Sequence, residues 1–262
     1  MRWQSALLVG LLVTTAGCSG LSGFGDDPRS PTVTPAPVPD PPTATRAQLD
    51  FPPGITEDGL RRADVLATTH RQALRNRSYT FYERYRRTTE TPNGTVVLAR
   101  NETTRVADAK RYLHRLHRQR YLDDESVADY RQTTFADGRR WYERSDDGNV
   151  TETGGRIRFT QDQFAYEAAF YIEQYAAVPR SRTRIVRRDG DPFFRVTGSG
   201  GTPPSRSAVQ SYRVSLLVDA RGVVHRLEVH YRTETDRVTY SFRYRGFDST
   251  GVSTPRWVDG ID

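Results

Sequence analysis

The C-terminal third of the chain alternates apolar and polar residues over three stretches. Apolar side chains recur at every second position from Tyr212 to Val218, from Leu227 to Tyr231 and from Val238 to Tyr244. A period of two is typical of strands that bury one face. The sequences "DARG" and "TETD" separate the three stretches and supply turn residues. The pattern predicts an antiparallel meander with one apolar face.

The same alternation begins earlier, where Tyr79, Phe81, Glu83 and Tyr85 share one phase. Hairpin turns are predicted at Asn93-Gly94, Asp137-Gly138 and Asp189–Pro192, because Gly, Asn and Asp tolerate tight turns.

The stretch Lys110–Arg120 fits a helix or a strand. We predict a strand, because predicted hairpins flank the stretch on both sides. On a strand, the odd spacing of His114 and His117 places their side chains on opposite faces, which disfavours a metal-binding pair.

Two segments have helical periodicity. The first runs from Thr56, a predicted N-cap, to Asn76, with His70 on its apolar stripe as a packing residue. The second covers residues 160–177, with Thr160 and Gln163 in capping-box spacing. Its apolar stripe is strongly aromatic.

Together these elements predict an α+β fold, in which a large curved antiparallel sheet, or half-barrel, carries two main helices on its apolar concave face. If the helices leave space on that face, the apolar rows line a cavity for a hydrophobic ligand; if they meet it fully, the rows form an ordinary core. The candidate cavity residues are Tyr212, Val214, Leu216, Leu227, Val229, Tyr231, Val238, Tyr240 and Phe242 on the strands, and Phe164, Ile172 and Tyr175 on the second helix.

The N-terminal segment has the pattern of an export signal. An apolar run from Ala6 to Val13 is too short to span a bilayer, and Ala16-Gly17 precede Cys18, the only cysteine. This arrangement resembles the lipobox of bacterial and archaeal lipoproteins, which implies a lipid on Cys18 after removal of residues 1–17. Residues 18–53 are rich in Pro and Thr and are predicted to form a disordered tether, followed by a single domain at residues 54–262.

The charge of the chain is +7, and Lys110 is its only lysine. The arginines are spread along the chain between acidic residues, so we assign them mainly to exposed strand faces. We expect no nucleic-acid partner for an exported protein, while contact with lipid headgroups stays open.

The sequence lacks the motifs of common enzymes. It has no GxSxG elbow, phosphate-binding loop or zinc motif, and we expect a non-enzyme without cofactor or metal. Sequons at Asn76, Asn93, Asn101 and Asn149 are candidate glycosylation sites.

The order of these features along the chain resembles that of known proteins. The opening "PPGITEDGL", the hairpin "ADGRRWYERS" and the strand pair "SLLVDARGVVHRLEVHYR" resemble a group of haloarchaeal lipoproteins of unassigned activity. More distantly, the chain is similar to lipoprotein carriers of the LolA, LolB and LppX/LprG kind. That similarity implies a curved sheet whose concave face holds acyl chains.

Two functions from different classes follow. The chain is expected to be a lipoprotein, anchored on the extracytoplasmic face of the cell membrane through Cys18, that binds or carries a lipid or another hydrophobic ligand. The alternative is a non-catalytic structural or interaction component of the cell envelope with a filled core.

Overall fold

The computed structural model describes residues 50–146, 150–153, 162–202 and 208–259. Cys18, Asn149 and Thr160, which the sequence analysis singled out, lie outside these residues. The elements in chain order are β1 (Ile55–Thr56), β2 (Gly59–Leu60), α1 (Ala63–Ala73), β3 (Tyr79–Thr91), β4 (Gly94–Asp108), β5 (Arg111–Leu122), β6 (Glu125–Asp137), β7 (Trp141–Ser145), β8 (Val150–Thr153), α2 (Gln163–Ala176), β9 (Arg180–Arg188), β10 (Asp191–Ser199), β11 (Ser211–Asp219), β12 (Val224–Arg232) and β13 (Asp236–Arg245).

Eleven strands form one antiparallel sheet in the order β8-β7-β6-β5-β4-β3-β13-β12-β11-β10-β9. Strands β3 to β8 run from the centre of the sheet to one edge. Strands β9 to β13 run from the other edge back to the centre, where β13 pairs with β3. The predicted α+β fold, a large curved antiparallel sheet with two helices, is confirmed.

The predicted hairpins join neighbouring strands. Asp189 and Gly190 connect β9 to β10 with φ values of 51° and 89°, which a two-residue turn of this hand requires. The ambiguous stretch Lys110–Arg120 lies in β5, as the preference for a strand predicted.

Helix α1 is shorter than predicted. It begins at Ala63 after Arg62 at the N-cap, so the predicted N-cap at Thr56 is wrong. Residues 55–60 form the small hairpin β1–β2 instead. The Leu60 amide donates to Ser181 Oγ at 2.9 Å, so a contact with distant β9 holds this segment out of the helix.

Helix α2 begins at Gln163 and is capped by Asp162, whose carboxylate accepts from the amides of Phe164 and Ala165. The predicted capping box from Thr160 is therefore replaced by a cap two residues further along. The Tyr79 hydroxyl donates a short hydrogen bond to the same carboxylate, so the cap is tied to β3.

Both helices pack on one face of the sheet. We call the face that carries Phe81, Tyr240 and Phe242 the inner face, and the opposite face, which carries Arg84 and Arg243, the outer face. Leu66 of α1 and Ile172 of α2 are fully buried in one cluster with the inner-face residues. This cluster is the main core of the domain.

Part of the outer face is covered by the C-terminal segment. Arg105 Nη2 donates to the Gly251 carbonyl at 2.6 Å, and Arg111 Nε donates to the Val252 carbonyl at 3.0 Å. Below them, a second buried cluster joins Val252 to Leu113, Phe135 and Tyr142.

The compact unit extends upstream of the predicted domain start. Phe51 packs against Phe194 with ring centroids 5.1 Å apart. Pro52 is buried, and its carbonyl accepts from the Ile55 amide at 3.0 Å. The last residues of the predicted tether thus belong to the folded domain. Among the described residues, neither helix is long and apolar enough to cross a membrane.

His70 joins α1 to the sheet as a fully buried residue. Its Nδ1 accepts from the Val224 amide at 3.1 Å, so Nε2 carries the proton and donates to Tyr244 Oη at 3.3 Å. Burial, with a contribution from nearby His225, lowers the pKa of His70 to about 3. The ring is therefore neutral in the folded protein at neutral pH.

We expect His70 to make the protein less stable in acid. The unfolded chain binds a proton at His70 below its ordinary pKa of 6.5, whereas the folded chain resists protonation down to about pH 3. Stability is therefore retained above pH 6.5 and falls as the pH falls from 6.5 to 3, by the order of 4 kcal/mol for this group. Denaturant unfolding of His70→Gln should show a smaller loss over that window, and the exposed His230→Gln should match the wild type. Equal losses in His70→Gln and the wild type would contradict the assignment.

Candidate functional site

The twelve candidate cavity residues lie together and are all buried. They belong to the core cluster on the inner face, packed among themselves and against both helices. Only Tyr175 and Tyr240 line a cavity on that face, and Val214 contributes to a groove elsewhere. The structure thus packs most of the predicted rows as core and leaves an opening at one end of them.

This opening, which we call the inner cavity, has a volume of about 340 Å³. It is formed by α2 and by β3, β4, β5 and β13, and it is lined by Tyr85, Leu98, Ala99, Arg100, Arg118, Gln119, Tyr171, Tyr175 and Tyr240. Small-molecule sites usually have volumes of about 300–1,000 Å³, so the inner cavity is large enough for a small ligand or part of a larger one.

The strand register places four of these residues in one row. Tyr240 pairs with Tyr85, Tyr85 pairs with Arg100, and Arg100 pairs with Arg118, so the row crosses four neighbouring strands. Because paired residues share a sheet face, aromatic side chains occupy one end of the row and guanidinium groups the other.

Helix α2 covers the aromatic end of the row. Tyr171 and Tyr175 are four residues apart, which places them on one side of the helix. Their ring centroids lie 4.7 Å and 4.9 Å from that of Tyr240. The three rings form an aromatic wall.

A buried charged network adjoins the inner cavity. Arg100 makes a short ion pair with Glu83, and its Nε lies 2.9 Å from Glu102 Oε1. Tyr171 Oη lies 3.5 Å from Arg100 Nη2 and 3.5 Å from Glu167 Oε1. The Arg100 guanidinium therefore contacts two carboxyl groups and the hydroxyl of Tyr171 on α2.

Burial determines the protonation of these carboxyl groups. Glu83 is 1% exposed, and desolvation together with the charge of Glu102 raises its pKa to about 8. Desolvation also raises the pKa of Glu102 and Glu167. Carboxyl groups with raised pKa values occur at functional sites and in structural ion-pair networks. Here the network fixes Arg100 at the edge of the inner cavity.

The two histidines of β5, His114 and His117, lie on opposite faces of the sheet. His114 Nδ1 lies 2.9 Å from Thr104 Oγ1, and burial lowers its pKa to about 4. His117 Nε2 instead lies 3.0 Å from Asp129. Among the described residues, no group of three or more His, Cys, Asp or Glu side chains is placed to hold a metal ion.

Two other concave regions are more polar. A groove of about 520 Å³ is lined by residues of β9 to β12, including the exposed Arg180, Arg182 and Arg213. A third region of about 360 Å³ is lined by residues that include Arg71, Arg75 and Asp162. The groove is larger than the inner cavity, but no tyrosine, phenylalanine or tryptophan is among its lining residues, whereas the inner cavity has an aromatic wall.

Sequence reasoning missed Arg100, Glu83, Glu102 and Arg118. The signal for Glu83 was present, because a charged residue in phase with Tyr79, Phe81 and Tyr85 must point toward the apolar face. Its partner could not be found in the same way, since Arg100 meets Glu83 only through the register of β3 on β4.

The described sequon residues are all exposed. Asn76 follows α1 with a φ of 58°, Asn93 lies in the loop between β3 and β4, and Asn101 lies within β4. Their glycosylation stays a prediction.

No protein-family model matches the chain, and no curated protein matches it in sequence. Solved structures with some likeness include LprF from Mycobacterium bovis, at 8% identity over 74% of this chain and 96% of that chain, with a TM-score of 0.39. A LolA superfamily protein from Nitrosomonas europaea is 8% identical over 75% of this chain and 96% of its own, with a TM-score of 0.27. An outer membrane lipoprotein-sorting protein domain from Vibrio parahaemolyticus is 12% identical over 74% and 96%, with a TM-score of 0.23.

Proposed function

We propose that this chain is a lipoprotein anchored through Cys18 on the extracytoplasmic face of the cell membrane, and that it binds a lipid or another hydrophobic ligand in the inner cavity. The observation that carries the binding proposal is the aromatic wall of Tyr171, Tyr175 and Tyr240 beside Leu98 in a space of about 340 Å³. Burial of each methylene of an acyl chain against such a wall contributes about 0.8 kcal/mol. The role is non-catalytic and needs no cofactor.

The residues that line the inner cavity favour an amphiphilic ligand. Leu98 and the tyrosine rings offer an apolar surface, and the row from Tyr240 to Arg118 ends in guanidinium groups. An alkyl chain would lie along the rings, and a polar group would lie toward the arginines. A tether from Cys18 would keep such a protein near its source of lipid.

A structural role in the envelope is the second candidate. It is favoured by the packing of the predicted cavity rows, of which Leu216, Leu227 and Val229 are completely buried in the core. Native mass spectrometry of the purified protein distinguishes the two functions, because a carrier retains lipid and a filled domain does not.

We expect Leu98→Trp to block binding. Leu98 lines the inner cavity and is half-buried, so an indole there takes up ligand space. Forcing a ligand past extra atoms costs about 1–3 kcal/mol, which corresponds to about tenfold or more in the Kd of a fluorescent fatty-acyl probe. Probe titration measures this loss.

Leu122→Trp is the matched control. Leu122 is 38% exposed near the end of β5 and lies outside the inner cavity. This variant should bind the probe like the wild type. Equal binding by Leu98→Trp and the wild type would place the ligand elsewhere, and no binding by the wild type would support the structural role.

A further inference from the structure

The hydroxyl of Tyr240 is an exception among the buried tyrosines of the inner face. Tyr240 is 1% exposed, and its Oη has no hydrogen-bond partner among the described residues. By contrast, Tyr212 Oη donates to the Tyr175 carbonyl at 2.8 Å, and Tyr244 Oη accepts from His70. More than nine in ten buried polar groups find a partner in native structures. Because Tyr240 lines the inner cavity, a ligand can supply the missing partner.

A second buried donor lies one row away. Arg87 Nε is buried and has no hydrogen-bond partner in the described part of the chain. Arg87 pairs with Val238 on one side and with Leu98 on the other, and Leu98 lines the inner cavity. Two unsatisfied groups therefore lie on neighbouring rows of the same sheet face.

The third group is Arg118, at the polar end of the row from Tyr240. It lines the rim of the inner cavity as an exposed residue, and its charge acts on Glu102, but no carboxylate of the described residues lies within ion-pair distance of it. Arg100, its neighbour in the row, already contacts Glu83 and Glu102. Of the two cavity arginines, Arg118 is therefore the one with donors not engaged by a carboxylate at ion-pair distance.

All three groups are donors in the folded protein. The guanidinium groups of Arg87 and Arg118 can only donate. Burial and the nearby charge of Glu83 raise the pKa of Tyr240 well above its ordinary value, so its hydroxyl keeps its proton. Their chemical complement is an oxygen-rich anion, because charge-assisted hydrogen bonds to guanidinium groups are the strongest that such a site can form.

We propose that the inner cavity selects amphiphiles whose polar end is an anionic oxygen group, a carboxylate or a phosphate, with Tyr240, Arg118 and Arg87 as its candidate donors and the rings of Tyr171 and Tyr175 beside the alkyl chain. This inference rests on the proposed function and specifies its ligand class. A neutral amphiphile gains no charge-assisted hydrogen bond from Arg118, and a cationic one is repelled by it.

The test compares probes with one chain length and different polar ends. The full chain carrying Cys18→Ser, so that no attached lipid competes, is titrated with dodecyl phosphate, dodecanoate, dodecanol and dodecyltrimethylammonium. We expect at least one of the two anions to bind about tenfold tighter than dodecanol, and the cation to bind weakest. The two anionic probes distinguish a phosphate from a carboxylate ligand.

Two variants connect the preference to the named groups. Arg118→Gln should abolish the preference for the anion over dodecanol. Tyr240→Phe should weaken anion binding by about threefold to tenfold with no loss of Tm, because the hydroxyl has no partner to lose. The control Tyr212→Phe removes a satisfied hydroxyl, so it should lower Tm and leave the preference unchanged.

The outcomes of these titrations distinguish the headgroup assignment from the proposed function. Equal binding of anions and dodecanol, tighter binding of the cation, or an unchanged preference in both Arg118→Gln and Tyr240→Phe overturns the headgroup assignment and leaves the proposed function standing. Failure of all four probes to bind overturns the proposed function itself.

Discussion

Replacing Leu227 with alanine is expected to lower the free energy of unfolding by about 2–5 kcal/mol. Leu227 is 0% exposed at the centre of the meander, where it pairs with Leu216 on β11 and with Phe242 on β13. Truncation removes buried methyl groups and leaves a void that close-packed neighbours fill only in part. Denaturant unfolding monitored by circular dichroism measures the change.

The same experiment separates core from cavity at this position. Leu122→Ala is the control, since a partly exposed side chain near a strand end should cost less than about 1 kcal/mol. Because Leu227 lies outside the inner cavity, acyl-probe binding by Leu227→Ala should be unchanged under conditions where it is folded. A small loss of stability together with altered probe binding would show that Leu227 lines ligand space.

The strands were predictable because their signal is local. Alternation along β11, β12 and β13 needs only the residue type at successive positions, and the turn residues between them limit each strand. The sequence of β5 fits both the helical and the strand period, and the predicted hairpins on both sides favoured the strand. Once β5 was predicted as a strand, the odd spacing of His114 and His117 placed them on opposite faces.

The helix starts were less predictable because they depend on distant contacts. Thr56 has the chemistry of an N-cap, yet Ser181, 121 residues away from Leu60, bonds that residue and keeps residues 55–60 in a hairpin. At α2, the carboxylate of Asp162 caps the helix and also accepts from Tyr79. Local propensity is a weak prior where tertiary contacts oppose it.

The candidate site was predictable only in its outline. The sequence shows that β11 to β13 and α2 present apolar surfaces, but the distance between those surfaces depends on how each side chain packs. Only Tyr175 and Tyr240 of the twelve candidates line the inner cavity. The remaining wall comes from Tyr171 of α2 and from β3 to β5, where polar residues such as Arg100 gave no apolar periodicity to follow.

The largest effect is expected at the anchor, where Cys18→Ser should transfer nearly all of the protein from the membrane fraction to the soluble fraction. A serine hydroxyl is a much weaker nucleophile than a thiolate at neutral pH, and lipidation depends on this attack. Acyl chains contribute about 0.8 kcal/mol per buried methylene, and two chains give stable attachment where one is marginal. The folded domain should be unaffected, because residue 18 lies far upstream in the sequence of residue 50, where the described residues begin.

Membrane fractionation and detergent phase partitioning of the wild type and variant measure this transfer. Ser19→Ala is the matched control, since it changes the adjacent residue and keeps the cysteine. If Cys18→Ser and the wild type partition equally, Cys18 carries no lipid and the anchor must be another segment. If the variant leaves the membrane yet still binds dodecyl phosphate, anchoring and ligand binding are separate properties. That separation is expected of a tethered carrier, whose tether sets where the ligand is met and whose inner cavity sets which ligand is held.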